Sequence, residues 1–237
     1  MIRMTGIDVS RWQGNIDWNK VKEDGIQFAI LKAGGSDDGF YTDSKFEQNY
    51  KDAKAVGIPV GAYYFVGPKC ISKEDGIADA KRFLEIIKGK TFEYPVYIDL
   101  ESTSPSNKAG ATQACIGFCE TMEAAGYYCG IYASDTAGFI DRLDQSKLKG
   151  YDKWVARYSG KPTRTPDYGM WQSTDKSVVR GIYGNVDRNE SYKDYPTIIK
   201  SNGLNGFKKE EPKPAIDWKA KYEEVNAKLE AIKEILK

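Results

Sequence analysis

One pattern recurs three times in this chain and limits its fold more than any other feature: a helical end, a glycine, then an apolar strand. It reads VKEDGIQFAILKAG from Val21, AKAVGIPVGAYYFV from Ala53 and MEAAGYYCGIYAS from Met122. Gly25, Gly57 and Gly126 fall just past a helix, where the backbone takes positive φ and a Cβ would clash. Repeated units of this kind imply parallel strands joined by crossover helices. Strands are expected near residues 4–9, 27–33, 59–66, 95–100, 128–133, 153–158, 169–173 and 179–184. Helices are expected near 17–24, 43–56, 73–88, 109–125 and 135–141, with Thr42 or Asp43 capping the second and Ser72 the third. About eight strands and five to six helices give an α/β fold, an irregular (β/α) TIM-like barrel whose helical ring is incomplete in its second half. An open doubly wound sheet is the alternative. No GxGxxG follows the first strand, which weighs against a dinucleotide fold.

Composition narrows the chemistry. The chain has 237 residues, 41% of them hydrophobic, enough for a sizeable core. Formal charge is +1, from 35 basic and 34 acidic residues, so no global field gathers nucleic acid. No apolar stretch is long enough for membrane insertion. There is no histidine, which excludes Ser-His-Asp and Cys-His nucleophile systems and His-ligated zinc. Asp, Glu, Lys and Tyr remain for acid–base work. Cys70, Cys115, Cys119 and Cys129 form no CxxC pair and are expected to be buried, reduced thiols. Sixteen Tyr and five Trp beside acids fit sugar recognition, since flat rings stack on sugar faces.

The acids are concentrated where a barrel carries its chemistry. In VYIDLES (residues 96–102) an apolar strand ends in Asp99 and Glu101, two residues apart and therefore on one face. Neighbouring carboxyls split their pKa values, so that one stays protonated as a general acid. Glycoside hydrolysis needs that acid and a second group to stabilise an oxocarbenium-like centre. Glu101, with the longer arm, is assigned as acid and Asp99 as stabiliser. Other strand ends supply Asp8, Tyr63 with Phe65, Tyr132, Arg157 with Tyr158, and Trp171 with Gln172, while Asp187 follows the eighth strand. Trp12 and Trp18 are expected to serve packing. A magnesium or calcium site is the competing use of such acids, but no EF-hand or phosphate-cradling loop is present. Neither a metal nor a cofactor is assigned.

The segments GIDVSRWQGNIDW, GAYYFV, PVYIDLE, GIYAS, WVARY, MWQST and GNVDRN, in this order over about residues 4–190, resemble the glycoside hydrolase family 25 lysozymes. The resemblance implies an irregular (β/α) barrel that cuts the β-1,4 bond between N-acetylmuramic acid and N-acetylglucosamine in bacterial peptidoglycan. It implies Glu101 as acid/base, Asp99 as partner of the substrate acetamido group or the developing charge, and Asp8 and Asp187 as further cleft acids. Tyr63, Tyr132, Trp154, Tyr158 and Trp171 resemble wall residues that stack on or bond to sugars. Tyr64 stands where the family often has His, a change expected to bear on fine substrate preference. The nucleophile is either an Asp or the substrate's own N-acetyl oxygen; the D-x-E spacing favours the latter, and both retain configuration. Two rival functions are a chitinase-like N-acetylglucosaminidase and a catalytically silent wall-binding module. The N-terminus has no apolar h-region, so cytoplasmic synthesis is expected, followed by holin-dependent or other release to the wall.

The barrel is assigned to residues 1–206, a charged linker to 207–215 and an amphipathic helix to 216–237. Trp218, Tyr222, Val225, Leu229, Ile232 and Leu236 repeat at heptad spacing, with Asp217 as N-cap. Self-association is the favoured use of this seam, ahead of docking on the barrel or leading into a wall-binding module.

Overall fold

The computed structural model describes residues 3–209 and 218–235. Strand β1 (Met4–Val9) leads through α1 (Trp18–Glu23) to β2 (Phe28–Gly35). A two-residue β3 (Tyr41–Thr42) folds back on the end of β2 before α2 (Phe46–Ala55). Then follow β4 (Val60–Phe65), α3 (Lys73–Ile87), β5 (Val96–Asp99), α4 (Lys108–Ala124) and β6 (Cys129–Ser134). Strands β7 (Asp152–Ala156), β8 (Met170–Ser177) and β9 (Val186–Ser191) come without long helices between them, and α5 (Tyr195–Asn202) ends the barrel. The sheet runs β1-β9-β8-β7-β6-β5-β4-β2 and closes through a parallel β1–β2 pair. It is an eight-stranded barrel with β3 as an extra edge, so the open-sheet alternative is excluded.

The three glycines behave as their position demands: Gly25, Gly57 and Gly126 have φ of 86°, 76° and 84°. Ser72 caps α3, its hydroxyl accepting from the Asp75 N–H at 3.1 Å. The cap expected for α2 differs. Lys45 is its N-cap without a side-chain bond, while the Asp43 carboxylate accepts from the Lys45 N–H and the Arg11 N–H. Asp43 thus ties the β1 loop to the start of α2.

The expected strand at 179–184 is a loop. Val179 and Ile182 are buried there, and Gly181 (φ 94°) accepts from the Asp17 N–H. The last strand is β9, antiparallel to both β8 and β1. Residues 178–185 are too few for a crossover, which needs about ten or more, so the chain returns as a hairpin. The expected helix at 135–141 is a run of turns rather than a helix. Gly138 packs on Ala133 and the Ser134 backbone, where a Cβ would lie 2.5 Å from Ala133 Cβ. Helix α5 was not expected. Its Tyr195 and Ile199 enter the barrel interior against Tyr94 and Tyr128, residues that precede β5 and β6, and so plug the end opposite the acids.

Two cores result. Ile7, Leu31, Val60, Ile98 and Val155 face outward onto Phe46, Phe83 and Phe118 of the helices. Phe28, Ile30, Tyr97, Tyr132, Trp154 and Met170 fill the lumen. Fully burying each Phe, Ile or Met contributes about 1.5–3 kcal/mol. All four cysteines are buried free thiols. Trp18 packs in the outer core, as expected, but Trp12 is 76% exposed with the Arg11 guanidinium 5.1 Å above its ring. A one-turn 3-10 helix capped by Ser10 directs Trp12 into solvent at the barrel end that carries Asp8.

Candidate active site

Seven strands bring their ends to one polar pocket of about 170 Å³, lined by Asp8, Tyr63, Asp99, Glu101, Tyr132, Trp154, Tyr158, Gln172 and Asp187. Asp99 is the last residue of β5, and Glu101 lies two residues on; Leu100 between them is buried on the opposite side. Asp187 does not follow the eighth strand but is the second residue of β9. Because β9 is antiparallel, its beginning lies at the acid end, and Asp187 pairs in register with Asp8 of β1. Trp171, Phe65 and Arg157, also expected at strand ends, lie outside the lining, and Trp171 is the only one of them expected to contact sugar. It is buried, and its indole N–H donates to the Arg157 carbonyl at 2.8 Å. Strand alternation turns Gln172 inward and Trp171 away. Tyr64 also turns away. Its ring packs on Phe83 and Phe118 and its hydroxyl donates to the Gly35 carbonyl at 3.0 Å. The expectation that Tyr64 tunes substrate preference gives way to a packing role.

A hydrogen-bond chain fixes the pocket walls. Asp8 Oδ2 accepts from Gln172 Nε2 at 2.9 Å and from Asn189 Nδ2 at 2.8 Å. Asn189 Oδ1 accepts from the Trp154 indole at 2.8 Å. Gln172 Oε1 accepts from the hydroxyls of Tyr132 (2.8 Å) and Tyr158 (2.9 Å). Asp8 is therefore held by amides on β8 and β9. Asn189 was not singled out in the sequence. Its signal was the D-x-N spacing of Asp187 and Asn189, which puts both on the lumen face.

All four carboxyls are biased toward the protonated form. Burial, then the charge of Glu101, pushes Asp99 well above the usual carboxylate range, while Lys32 pulls it back. Asp99 Oδ1 is buried without a hydrogen-bond partner. Glu101 stands at the rim, reached by solvent although protein atoms crowd its carboxyl group; that crowding raises its pKa, Lys32 lowers it and Asp187 raises it. Burial raises Asp187 to about 8, helped by the charge of Asp8 and a hydrogen bond to it. Burial raises Asp8 to about 6, restrained by hydrogen bonds from Asn189, Gln172 and Asp187. Asp8 and Asp187 thus titrate as a pair that shares one proton.

Lys32 is the second residue that the sequence reading passed over. Its Nζ lies 4.4 Å from the Phe65 ring centroid, 5.8 Å from Tyr41 and 5.9 Å from Tyr63. This aromatic cage aims a cation at the acid pair. The available signal was a single Lys inside the apolar run FAILKAG. Among the described residues, no three His, Cys, Asp or Glu side chains are arranged to hold a metal ion.

A closed (β/α) barrel with carboxyls of raised pKa gathered at the strand ends has the layout of a glycosidase-type site. Residues 7–182 match the family described as Glycosyl hydrolases family 25, and the chain belongs to that family. Asp187 and Asn189 lie just beyond the matched span. Among curated relatives, the autolytic lysozyme of Clostridium acetobutylicum is 29% identical over 188 residues, 79% of this chain and 55% of that one. Lysozyme M1 of Streptomyces globisporus is 29% identical over 206 residues, covering 78% and 66%. The CTP1L endolysin structure superposes with a TM-score of 0.72 at 29% identity, over 84% of this chain and 70% of that one. The modular autolysin LytC from Streptococcus pneumoniae, in complex with a synthetic peptidoglycan ligand, gives 0.72 at 27% identity, over 80% and 47%. This chain spans only about half the length of the Clostridium relative and of LytC.

Proposed function

We propose that the protein is a muramidase: it hydrolyses the β-1,4 bond between N-acetylmuramic acid and N-acetylglucosamine in bacterial peptidoglycan, with retention. The observation that carries this reading is the convergence of Asp8, Asp99, Glu101 and Asp187 in one pocket walled by Tyr63, Tyr132, Trp154 and Tyr158. Glu101, at the rim and raised in pKa, protonates the leaving oxygen and then activates water. The orphaned Oδ1 of Asp99 suits the N–H of the substrate's 2-acetamido group, which positions the acetamido oxygen to attack the anomeric carbon. This supports substrate assistance over an enzymic nucleophile. Asp8 and Asp187, sharing a proton, present one negative charge to the positive sugar centre, and Trp171 backs the wall from outside the pocket. The lysozyme and autolysin names of the relatives and the peptidoglycan ligand of LytC support the same substrate. The protein acts at the cell wall; among the described residues no helix is long and apolar enough to cross a membrane.

The test is product chemistry. Purified Gram-positive peptidoglycan is digested with the protein or with Glu101→Gln, the ends are reduced, and the products are identified by mass spectrometry. Reduced muramic acid ends are expected from the wild type, with the variant slower by about 10²–10⁴-fold. Reduced glucosamine ends would mean a glucosaminidase, cleavage of chitin oligomers alone a chitinase-like enzyme, and binding without cleavage a silent module.

The second part of the proposal concerns α6 (Trp218–Ile235). Trp218, Tyr222, Val225, Leu229 and Ile232 all lie exposed along it, so the seam is not covered by the barrel. We assign it to self-association. Asp217, Leu236 and the linker from residue 210 onward lie outside the described residues.

A further inference from the structure

A second cavity, of about 280 Å³, opens at the same barrel end as the acid pocket and shares no lining residue with it. Ser36 and Phe40 come from the turn after β2, Lys69 and Cys70 from the loop after β4, and Asp75 and Asp79 from α3. The same two strands bring Lys32 close enough to act on the acid pair and carry Tyr63 into the pocket, so the cavity lies just outside the catalytic end of β2 and β4. Asp75 and Asp79 are one helical turn apart and share a face.

Asp79 is the feature that needs explaining. It is 4% exposed, yet its Oδ1 is buried with no hydrogen-bond partner. Burial raises its pKa, and hydrogen bonds with Ser36, Cys70 and Tyr64 lower it only in part. An isolated buried carboxylate is costly, and the usual remedy is a cation or strong donor. Asp75 is already engaged at one oxygen, Oδ2, which accepts from the Ile71 N–H at 3.1 Å and the Ser72 hydroxyl at 2.7 Å. Lys69 at the mouth is exposed. Phe40, 59% exposed, forms an apolar rim.

We propose that this cavity binds the zwitterionic amino-acid head of a peptide-stem side chain, such as that of a diaminopimelate residue, with its ammonium on Asp79 and its carboxylate on Lys69. The assignment rests on the peptidoglycan reading and deepens it, since it names a contact to the peptide as well as to the glycan. Three observations select this ligand class. The unpartnered acceptor at the floor calls for a donor, and an ammonium supplies both hydrogens and charge. The opposite charge at the mouth calls for an anion at the other end of the same small group. The volume lies below the roughly 300–1,000 Å³ of pockets that hold drug-sized ligands, which fits an amino-acid head on an aliphatic stem along Phe40 better than a disaccharide. A divalent metal is disfavoured, because among the described residues no three His, Cys, Asp or Glu side chains are arranged to hold one.

Titration calorimetry of the full chain with meso-diaminopimelic acid, cadaverine and glutaric acid tests this. Diaminopimelic acid is expected to bind in the millimolar range, cadaverine and glutaric acid at least about fivefold more weakly. Asp79→Asn and Lys69→Ala are each expected to weaken diaminopimelic acid by about fivefold or more. Lys69 is exposed, so its variant keeps the test valid if Asp79→Asn unfolds, which a melting curve reports. No binding of diaminopimelic acid at about 20 mM, binding untouched by Lys69→Ala, or equal binding of cadaverine would each overturn the proposal. Cleavage of peptide-free glycan strands, followed in parallel, separates the two readings. Strands cut without diaminopimelic acid binding refute the cavity assignment alone, whereas uncut strands refute the muramidase assignment.

Discussion

Lys32 opposes the burial that favours the protonated forms of the acid pair. It lowers the proton affinity of both Asp99 and Glu101 against the burial that raises them. In the proposed mechanism Glu101 must be protonated and Asp99 ionised, so activity falls above the pKa of the first and below that of the second. Lys32→Met keeps the stem in its aromatic cage and removes the charge. Both limbs of the pH profile of kcat/KM should then move to higher pH, with a loss of about 10–100-fold at neutral pH; unchanged limbs would show that Lys32 only packs. Asp8, Asp99 and Glu101 were legible in the sequence because each stands at or just past the end of an apolar run, whereas Asp187, in GNVDRN, had no such run beside it and was placed in a loop rather than in β9. Lys32 and Asn189 were not legible, because one polar residue in a strand reads equally well as an exposed position. The orientations of Tyr64 and Trp171 were illegible for a related reason. Barrel strands are apolar on both faces, so alternation separates Tyr63 from Tyr64 without saying which faces the lumen.

At the scale of elements, helices α3 and α4 approach unusually closely. A Cβ on Gly76 would lie 2.0 Å from the Ala114 carbonyl oxygen, and one on Gly117 would lie 2.4 Å from that of Lys73. Gly76→Ala should force the helices apart and cost about 1–3 kcal/mol, read as a lower urea midpoint. A midpoint within error of wild type would mean that the helices separate freely. Helix–Gly–strand units made the first half of the barrel readable, since each carries its own punctuation. The second half lacks that punctuation: β7, β8 and β9 follow one another through loops, and the apolar run around Val179 packs as a loop rather than a strand. The count of residues after β8 would have indicated a hairpin, which moves Asp187 from a loop into β9. A helix runs over Trp218–Ile235 of the expected 216–237 segment. About three heptads make a weak seam, and Lys221 and Lys228 flank it with like charge. Light scattering should therefore show a dimer that strengthens with protein concentration and with salt, and that disappears on truncation after Phe207. A monomer at all concentrations would return the seam to another partner.

For the whole molecule, the active site is a stability liability with a defined pH window. Folding moves Asp187 from 3.8 to about 8 and Asp8 from 3.8 to about 6, in both cases chiefly by burial. The folded state therefore holds protons that the unfolded chain releases between these values. Stability rises with pH only where the unfolded state binds more protons. Here it binds fewer, so the contribution of this pair is fully present below about pH 4 and is lost as pH climbs toward 8. Asp99, raised in the same direction, adds to the trend. Asp187→Asn keeps the shape and a donor toward Asp8 but removes the titration. Its melting temperature should match the wild type near pH 4 and exceed it by about 3 °C or more near pH 8, while activity is reduced. A constant difference across that range would show that Asp187 does not carry the linkage. A protein that keeps a proton on an acid at neutral pH sacrifices stability at that pH, and the size of this difference measures how firmly the barrel holds it.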